Sequence, residues 1–284
     1  MTEAATFGGI LQYWRKARHL TQLALAIEAD VSPRHVCFVE TGRAKPSRDM
    51  VMLLASVLDV PLRERNMLLL AAGFAPIYRE SNLEAAELAP VRAALEAILR
   101  QQEPYPAVVL DRHWDIVRTN TAATAFFSFL LDPGPAAGRG SAPSSAGPPP
   151  SARRPNVLRL IFDERALKPW VANWPSVAEA LITRVRREAV GGVEDAETIA
   201  LVEEVLAYPG VPKSLRKPNL ETPLLPVVPV SFAKGGKTFA FFSAVTTLGT
   251  PQDITVQELR IESFFPANAA TEAASRALTR FPAE

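Results

Sequence analysis

The chain is poor in the side chains that covalent and redox chemistry use: its 284 residues include one cysteine and three histidines. A single cysteine excludes an internal disulfide and suits a reducing compartment. No window of about eighteen apolar residues occurs, so no membrane-spanning helix is expected. The opening run MTEAATFGG has no basic stretch followed by an apolar one, so no secretory signal is expected and a cytoplasmic location follows. An excess of one charge is also missing, the formal net charge being +1. GxSxG, HExxH, CxxC and the phosphate-cradling loop are all absent. Of the histidines, His19 and His35 fall in the N-terminal region. His113 alone remains for imidazole chemistry, two residues from Asp111 in what reads as a hairpin turn. The expectation is a protein that is no enzyme and that needs no metal and no cofactor.

What is present is a hydrophobic content of 48%, enough for sizeable cores, in a length that suggests two domains. The most structured stretch is Thr21–Pro46, TQLALAIEADVSPRHVCFVETGRAKP. Thr21 can cap one short helix and Ser32 the next. Pro33 suits the first helical position, where its missing N–H is not needed, and Gly42 can close the helix in the left-handed conformation. Leu25, Ala26, Ala29, Val31, Val36 and Val39 recur at helical spacing as an inward face. Ile10, Leu11 and Trp14 supply a preceding helix. Met50, Leu53, Leu54 and Leu58 supply a fourth, and Leu68, Leu69 and Leu70 a fifth that ends at Gly73. Two short capped helices a few residues apart are the geometry that places a recognition helix in a major groove of double-stranded DNA.

These residues resemble the Xre and phage-repressor family of helix-turn-helix domains over 7–80. The likeness rests on Thr21-Gln22, Ala26, Val31-Ser32 and Glu40-Thr41-Gly42-Arg43. The run RAKPSRDMVMLLASVLDVPLRERNMLLLAAGFAPIY, and later VTTLGTPQDITVQELRIESFFPAN, resemble the subfamily with an MmyB-like ligand-binding domain. The resemblance implies that Gln22 contacts a phosphate or an outer base. It places Arg34 and Phe38 outward on the recognition helix, and Arg43 and Lys45 in a phosphate-holding loop. It makes Arg15 and Glu40 an internal ion pair. Many relatives carry an adenine-reading Gln where this chain has Pro33, so base readout is expected to shift to Arg34 and His35 beside the cap at Ser32. The alternative for Arg34 and Arg43 is a solvated surface charge. Cys37 lies on the same helix, where its oxidation would disturb docking.

Residues 1–48 hold seven Lys and Arg against four Asp and Glu, so the positive surplus is local and small. One copy with so few phosphate contacts binds feebly at physiological salt, which points to a homodimer on a two-part operator.

Beyond Ala75 a polar connector leads to a helix over Pro90–Gln102. Then come two strands around a turn at Asp111-Arg112, an Asn, and a helix over Thr121–Leu131, an order shared with the start of PAS-type sensor domains. Residues 133–155, rich in Pro, Gly, Ala and Ser, are expected to form a disordered loop. Helices follow over Trp174–Val190 and Glu194–Ala207. A hairpin over Val227–Thr247 turns at 234–237. A long strand is read over Ile254–Phe265, its Leu259, Ile261 and Ser263 on one face and Glu258, Arg260 and Glu262 on the other. A last helix runs over Ala269–Phe281.

The predicted architecture is therefore mixed. A five-helix helix-turn-helix domain (1–80) is followed by a linker and connecting helix (81–103) and a PAS-like α+β domain with an antiparallel sheet (104–284). Such a sheet, covered on one face by helices, can enclose a small molecule. Its interior is expected to use Trp114, Phe126, Phe127, Leu130, Trp170, Trp174, Phe239, Phe241, Phe242 and Phe264, most of them as plain core. The resemblance implies a small apolar ligand, and a fatty acid or similar carboxylate is the expected class, with Arg159 or Arg186 as its partner. The whole reads as a transcription regulator. Two other readings stay open: a constitutive repressor whose second domain only dimerises or binds a protein, and a small enzyme fused to a DNA anchor.

Overall fold

The computed structural model describes residues 6–132, 154–190, 196–216 and 229–279. They form two compact units. The first is made of residues through Leu83 together with Gly249–Gln257, and the second of most of the chain from Glu84 onward.

The first unit contains α1 (Phe7–Ala17), α2 (Gln22–Glu28), α3 (Pro33–Glu40), α4 (Arg48–Val57) and α5 (Leu62–Ala71). Four of these begin on a hydroxyl that accepts an orphan amide: Thr6 from Gly9, Thr21 from Ala24, Ser32 from His35 and Ser47 from Met50. Each such cap is worth about 1 kcal/mol. α5 begins on Pro61, which offers no side-chain cap. Leu11, Trp14, Leu25, Ala26, Val36, Leu54, Leu58, Leu68 and Leu69 form the core. Two residues expected inside are not. Leu53 and Leu70 are exposed, because the face of α4 that meets the core carries Val51, Leu54 and Ala55, and that of α5 carries Leu68 and Leu69. Val31 is only half-buried. Gly8 is a contact the sequence did not announce: a Cβ there would lie 2.1 Å from the Glu40 carbonyl oxygen, so α1 and the end of α3 touch backbone to backbone.

The second unit holds α6 (Ala89–Gln101), β1 (Ala107–Leu110), β2 (Ile116–Thr119), α7 (Thr121–Leu131), α8 (Val157–Phe162), α9 (Trp174–Val190) and α10 (Ala196–Leu206). After these come β3 (Val230–Lys234), β4 (Lys237–Thr246), β5 (Arg260–Pro266) and α12 (Ala269–Thr279); α11 (Ile254–Glu258), which precedes β5 in the chain, falls in the first unit except for its last residue. The strands make one antiparallel sheet in the order β2-β1-β5-β4-β3, a PAS-like arrangement that brings the first and last strands together at its centre. Asn120 ties its start. As N-cap of α7 its Oδ1 accepts from Ala123 N, and also from Ala107 N of β1 at 3.0 Å, while its Nδ2 donates to the Tyr105 carbonyl at 2.8 Å.

Two expectations need correcting. Ile254–Phe265 is not one strand: Asp253 accepts the Thr255 amide and opens the short helix α11 before β5 begins at Arg260. At β1 the sheet is not covered on one face only, since every residue of that strand is buried, with α6 and α7 packed on it, whereas at β4 the face opposite Phe239 and Phe241 leaves Thr238, Phe242 and Ala244 exposed. Glu262, grouped by alternation with Glu258 and Arg260, is 9% exposed. The loop expected at 133–155 lies, except for its last two residues, outside the described residues, as does the start of the hairpin at Val227.

Candidate nucleic-acid interface and ligand-binding core

The helix-turn-helix is braced from behind by one carboxylate. Glu40, at the end of α3, accepts from Arg15 Nε at 2.6 Å and Nη2 at 2.9 Å, while Arg15 Nη1 reaches the Leu20 carbonyl. Both side chains are nearly out of water, at 9% and 1% exposure. The hydrogen bond to Glu40 holds the Arg15 pKa above its ordinary value, against the opposing effect of burial. Gln22 joins the same carboxylate, its Nε2 donating to Glu40 Oε2 at 2.7 Å. The nitrogen expected to meet a phosphate is thus anchored through one proton and carries a second.

On the outer side, α3 presents Ser32, Pro33 and Arg34 to solvent, with His35 and Phe38 half-buried. Pro33 fills the first helical turn and Ser32 Oγ takes the His35 amide at 3.1 Å. The Phe38 ring is an organiser. The Arg34 guanidinium lies 5.0 Å from its centroid, one helical turn back, and the Arg43 guanidinium 6.0 Å. The Phe38 carbonyl also accepts from Arg43 N and Ala44 N, which closes α3 and aims the loop; Gly42 provides the positive φ of 73° that this closure needs. Arg34, Phe38 and Arg43 are therefore one cationic array with an aromatic floor, and Lys45 is exposed two residues further on. Cys37 is half-buried on the same helix.

In the second unit the aromatic residues expected around a ligand mostly pack on one another. Phe126 meets Phe232, Phe239 and Phe241 edge to face at 5.1, 5.2 and 5.5 Å, with Phe127 at 6.0 Å and Leu130 buried beside them. Trp174 is buried, its Nε1 donating to the Ile161 carbonyl, and stands edge to face with Phe162. Trp170 is half-buried and carries the Lys234 ammonium 4.5 Å from its ring. Phe242 is a correction. Strand alternation turns it to the opposite face from Phe241, where it is 39% exposed and stacks on Phe265.

Trp114 differs from the others. It is 1% exposed and takes a φ of 68°, an uncommon backbone for a bulky residue and a store of strain. The Arg184 and Arg260 guanidinium groups lie 4.7 and 5.6 Å from its ring. Arg184 also reaches Glu262, which accepts from Ser243 Oγ at 2.7 Å. This polar cluster was missed. A period of two groups Arg260 with Glu262 correctly, but only the strand register shows that their face is the one shared with Phe241 and Phe264.

A cavity of about 340 Å³ opens between α9, α10 and the turn Lys213–Arg216, lined by Val185, Ile199, Val202 and Leu206 together with Arg186, Thr198, Glu203 and Arg216. Arg186 Nη2 donates to the Arg216 carbonyl. Arg159, the other arginine singled out from sequence, is fully engaged by Glu204 through two bonds of 2.8 Å. Glu204 also accepts from the Tyr208 hydroxyl, and burial together with that bond pushes the Tyr208 phenol up to about 12.

Family models decide the classification. Residues 91–278 match the MmyB-like transcription regulator ligand binding domain, and residues 11–65 match a helix-turn-helix model. The chain belongs to the MmyB-like transcription regulators. It is a DNA-binding regulator with a helix-turn-helix domain and a ligand-binding domain, and both domains are of regulator rather than enzyme families. No curated relative matches the chain. No helix among the described residues is long and apolar enough to cross a membrane.

Proposed function

We propose that this MmyB-like regulator binds a two-part operator as a homodimer in the cytoplasm, and that a small apolar ligand in its second domain modulates that binding. The observation that carries the reading is the array of exposed Arg34 and Arg43 on half-buried Phe38, on a doubly capped α3, in one chain with the family's ligand-binding domain. Dimerisation follows from charge. With a net charge of +1, a single head has too few phosphate contacts to hold DNA at physiological salt. The ligand seat favoured here is the cavity between α9 and α10. Its aliphatic residues Val185, Ile199, Val202 and Leu206 suit an acyl chain, its lining carries two cations, Arg186 and Arg216, against one carboxylate, Glu203, and its size is at the lower end of small-molecule sites. A fatty acid or similar apolar carboxylate is the class proposed. For the ligand to regulate, it must bind two arrangements of the protein unequally.

Extraction of the purified full-length protein with organic solvent, followed by mass spectrometry, tests the ligand. A stoichiometric acyl carboxylate supports sensing. A stable dimer that releases nothing favours a second reading, a dimerisation module, for which the close packing around Phe126 also speaks. On DNA, Arg34→Ala is expected to relax sequence preference by about 1–3 kcal/mol. Lys45→Ala is expected to weaken all duplexes alike and to lower the salt slope by about 1.

A further inference from the structure

The helix-turn-helix unit contains a piece of chain that originates between β4 and β5. Gly249–Gln257 leaves the sheet after β4, is built into the first unit, and returns to begin β5. The incorporation is specific. The Leu62 N–H donates to Gln257 Oε1 at 2.7 Å, so Gln257 supplies the helix cap that Pro61 cannot give to α5. The Ser81 N–H donates to Asp253 Oδ2 at 3.2 Å, and Thr255 Oγ1 donates to the Ser81 carbonyl at 2.7 Å. The Ile254 N–H donates to the Arg79 carbonyl at 2.8 Å. Ile254 and Val256 are 3% and 6% exposed. A mere connector would not replace a missing cap, pair two backbone groups and bury two β-branched side chains.

Two residues separate this segment from β4 on one side and two from β5 on the other. β4 and β5 are paired up to Thr246 and Ile261, and one residue from that end Ser243 and Arg184 meet on Glu262. We infer that Gly249–Gln257 is a coupling clamp, through which a change in the pairing of β4 with β5 alters the stability of α5 in the DNA-binding unit. Residues held at both ends by hydrogen-bonded elements transmit a displacement as a change of bond geometry rather than absorbing it. The inference deepens the sensing reading and rests on it for its purpose, yet the link itself is testable with neither ligand nor DNA present.

The test is amide hydrogen exchange on the full-length chain, read at Leu62–Arg65 and at Ser81. Gln257→Leu, which keeps the side-chain volume, is expected to speed exchange at Leu62–Arg65 about fivefold, the loss of one cap. Glu262→Gln, far from those amides in sequence, is expected to change their exchange by at least about twofold. In a background carrying Gln257→Leu with Asp253→Asn, the Glu262→Gln effect is expected to vanish. Should that double background unfold, Asp253→Asn alone replaces it, with the effect expected to shrink. Unchanged exchange in Gln257→Leu, no effect of Glu262→Gln, or an effect that survives loss of the clamp overturns the inference. A failed ligand search touches none of these readings, so the two proposals fail separately.

Discussion

Replacing Phe38 with leucine removes the aromatic floor beneath Arg34 and Arg43 while leaving every charge in place. The two guanidinium–ring contacts, at 5.0 and 6.0 Å, lie at a partly exposed position where each contributes about 0.5–1 kcal/mol. Their role in DNA binding is to hold two long side chains extended before the duplex arrives, so losing both is expected to weaken operator binding by about 1–2 kcal/mol. That is roughly five- to thirtyfold. The number of phosphates neutralised does not change, so the slope of log K against log salt stays the same. Leucine keeps an apolar side chain on α3, and the capping bonds to the Phe38 carbonyl are backbone and survive. The assay is fluorescence anisotropy with a selected duplex across a salt series. Unchanged affinity would show that the ring does not position the arginines. A lower slope would show that phosphate contacts are lost with the ring, contrary to the argument that the number of phosphates neutralised is unchanged.

Three more outcomes are expected. Gly8→Ala places a methyl 2.1 Å from the Glu40 carbonyl oxygen, with no flexible side chain to yield, and is expected to cost about 1–3 kcal/mol or more in urea unfolding of the first unit. Glu40→Ala strands the buried Arg15 guanidinium and is expected to cost about 3–5 kcal/mol, more than Gln22→Ala, with operator binding lost at temperatures where the native chain still binds. The Tyr208 phenol is raised from its ordinary value of 10 to about 12, so its contribution to stability is complete below pH 10 and is lost as pH rises through about 12. Ultraviolet titration is expected to lose its highest-pH step in Tyr208→Phe.

The first unit was legible because its signals are local. Ser32, Pro33 and Gly42 specify where α3 starts and stops within a few residues of themselves, and the observed caps follow. The two hairpins of the second unit were readable for the same reason, from their turns at Asp111-Arg112 and at 234–237. Alternation misled where an element is short and held from a distance. Ile254, Thr255, Val256 and Gln257 alternate apolar with polar as a strand would, yet they form a turn of helix whose partners, Leu62, Arg79 and Ser81, lie far away in the chain. Gly8 was silent because its neighbour is the backbone of Glu40. Phe242 could have been placed outside by counting from Phe241; grouping it with the core let residue type override position. Glu262 shows the converse, a charge buried because Arg184 and Ser243 meet it there, which no pattern within β5 reveals.

The central claim is sequence-specific binding by paired helix-turn-helix heads, and selection of bound duplexes from a random pool by the full-length protein tests it most directly. The account predicts enrichment of two inverted half-sites spaced by about 10 base pairs or a multiple of it. It also predicts that the enriched bases scatter when Arg34→Ala is used. Enrichment of no sequence at all, or of a single unpaired site bound equally well by Arg34→Ala, would contradict it.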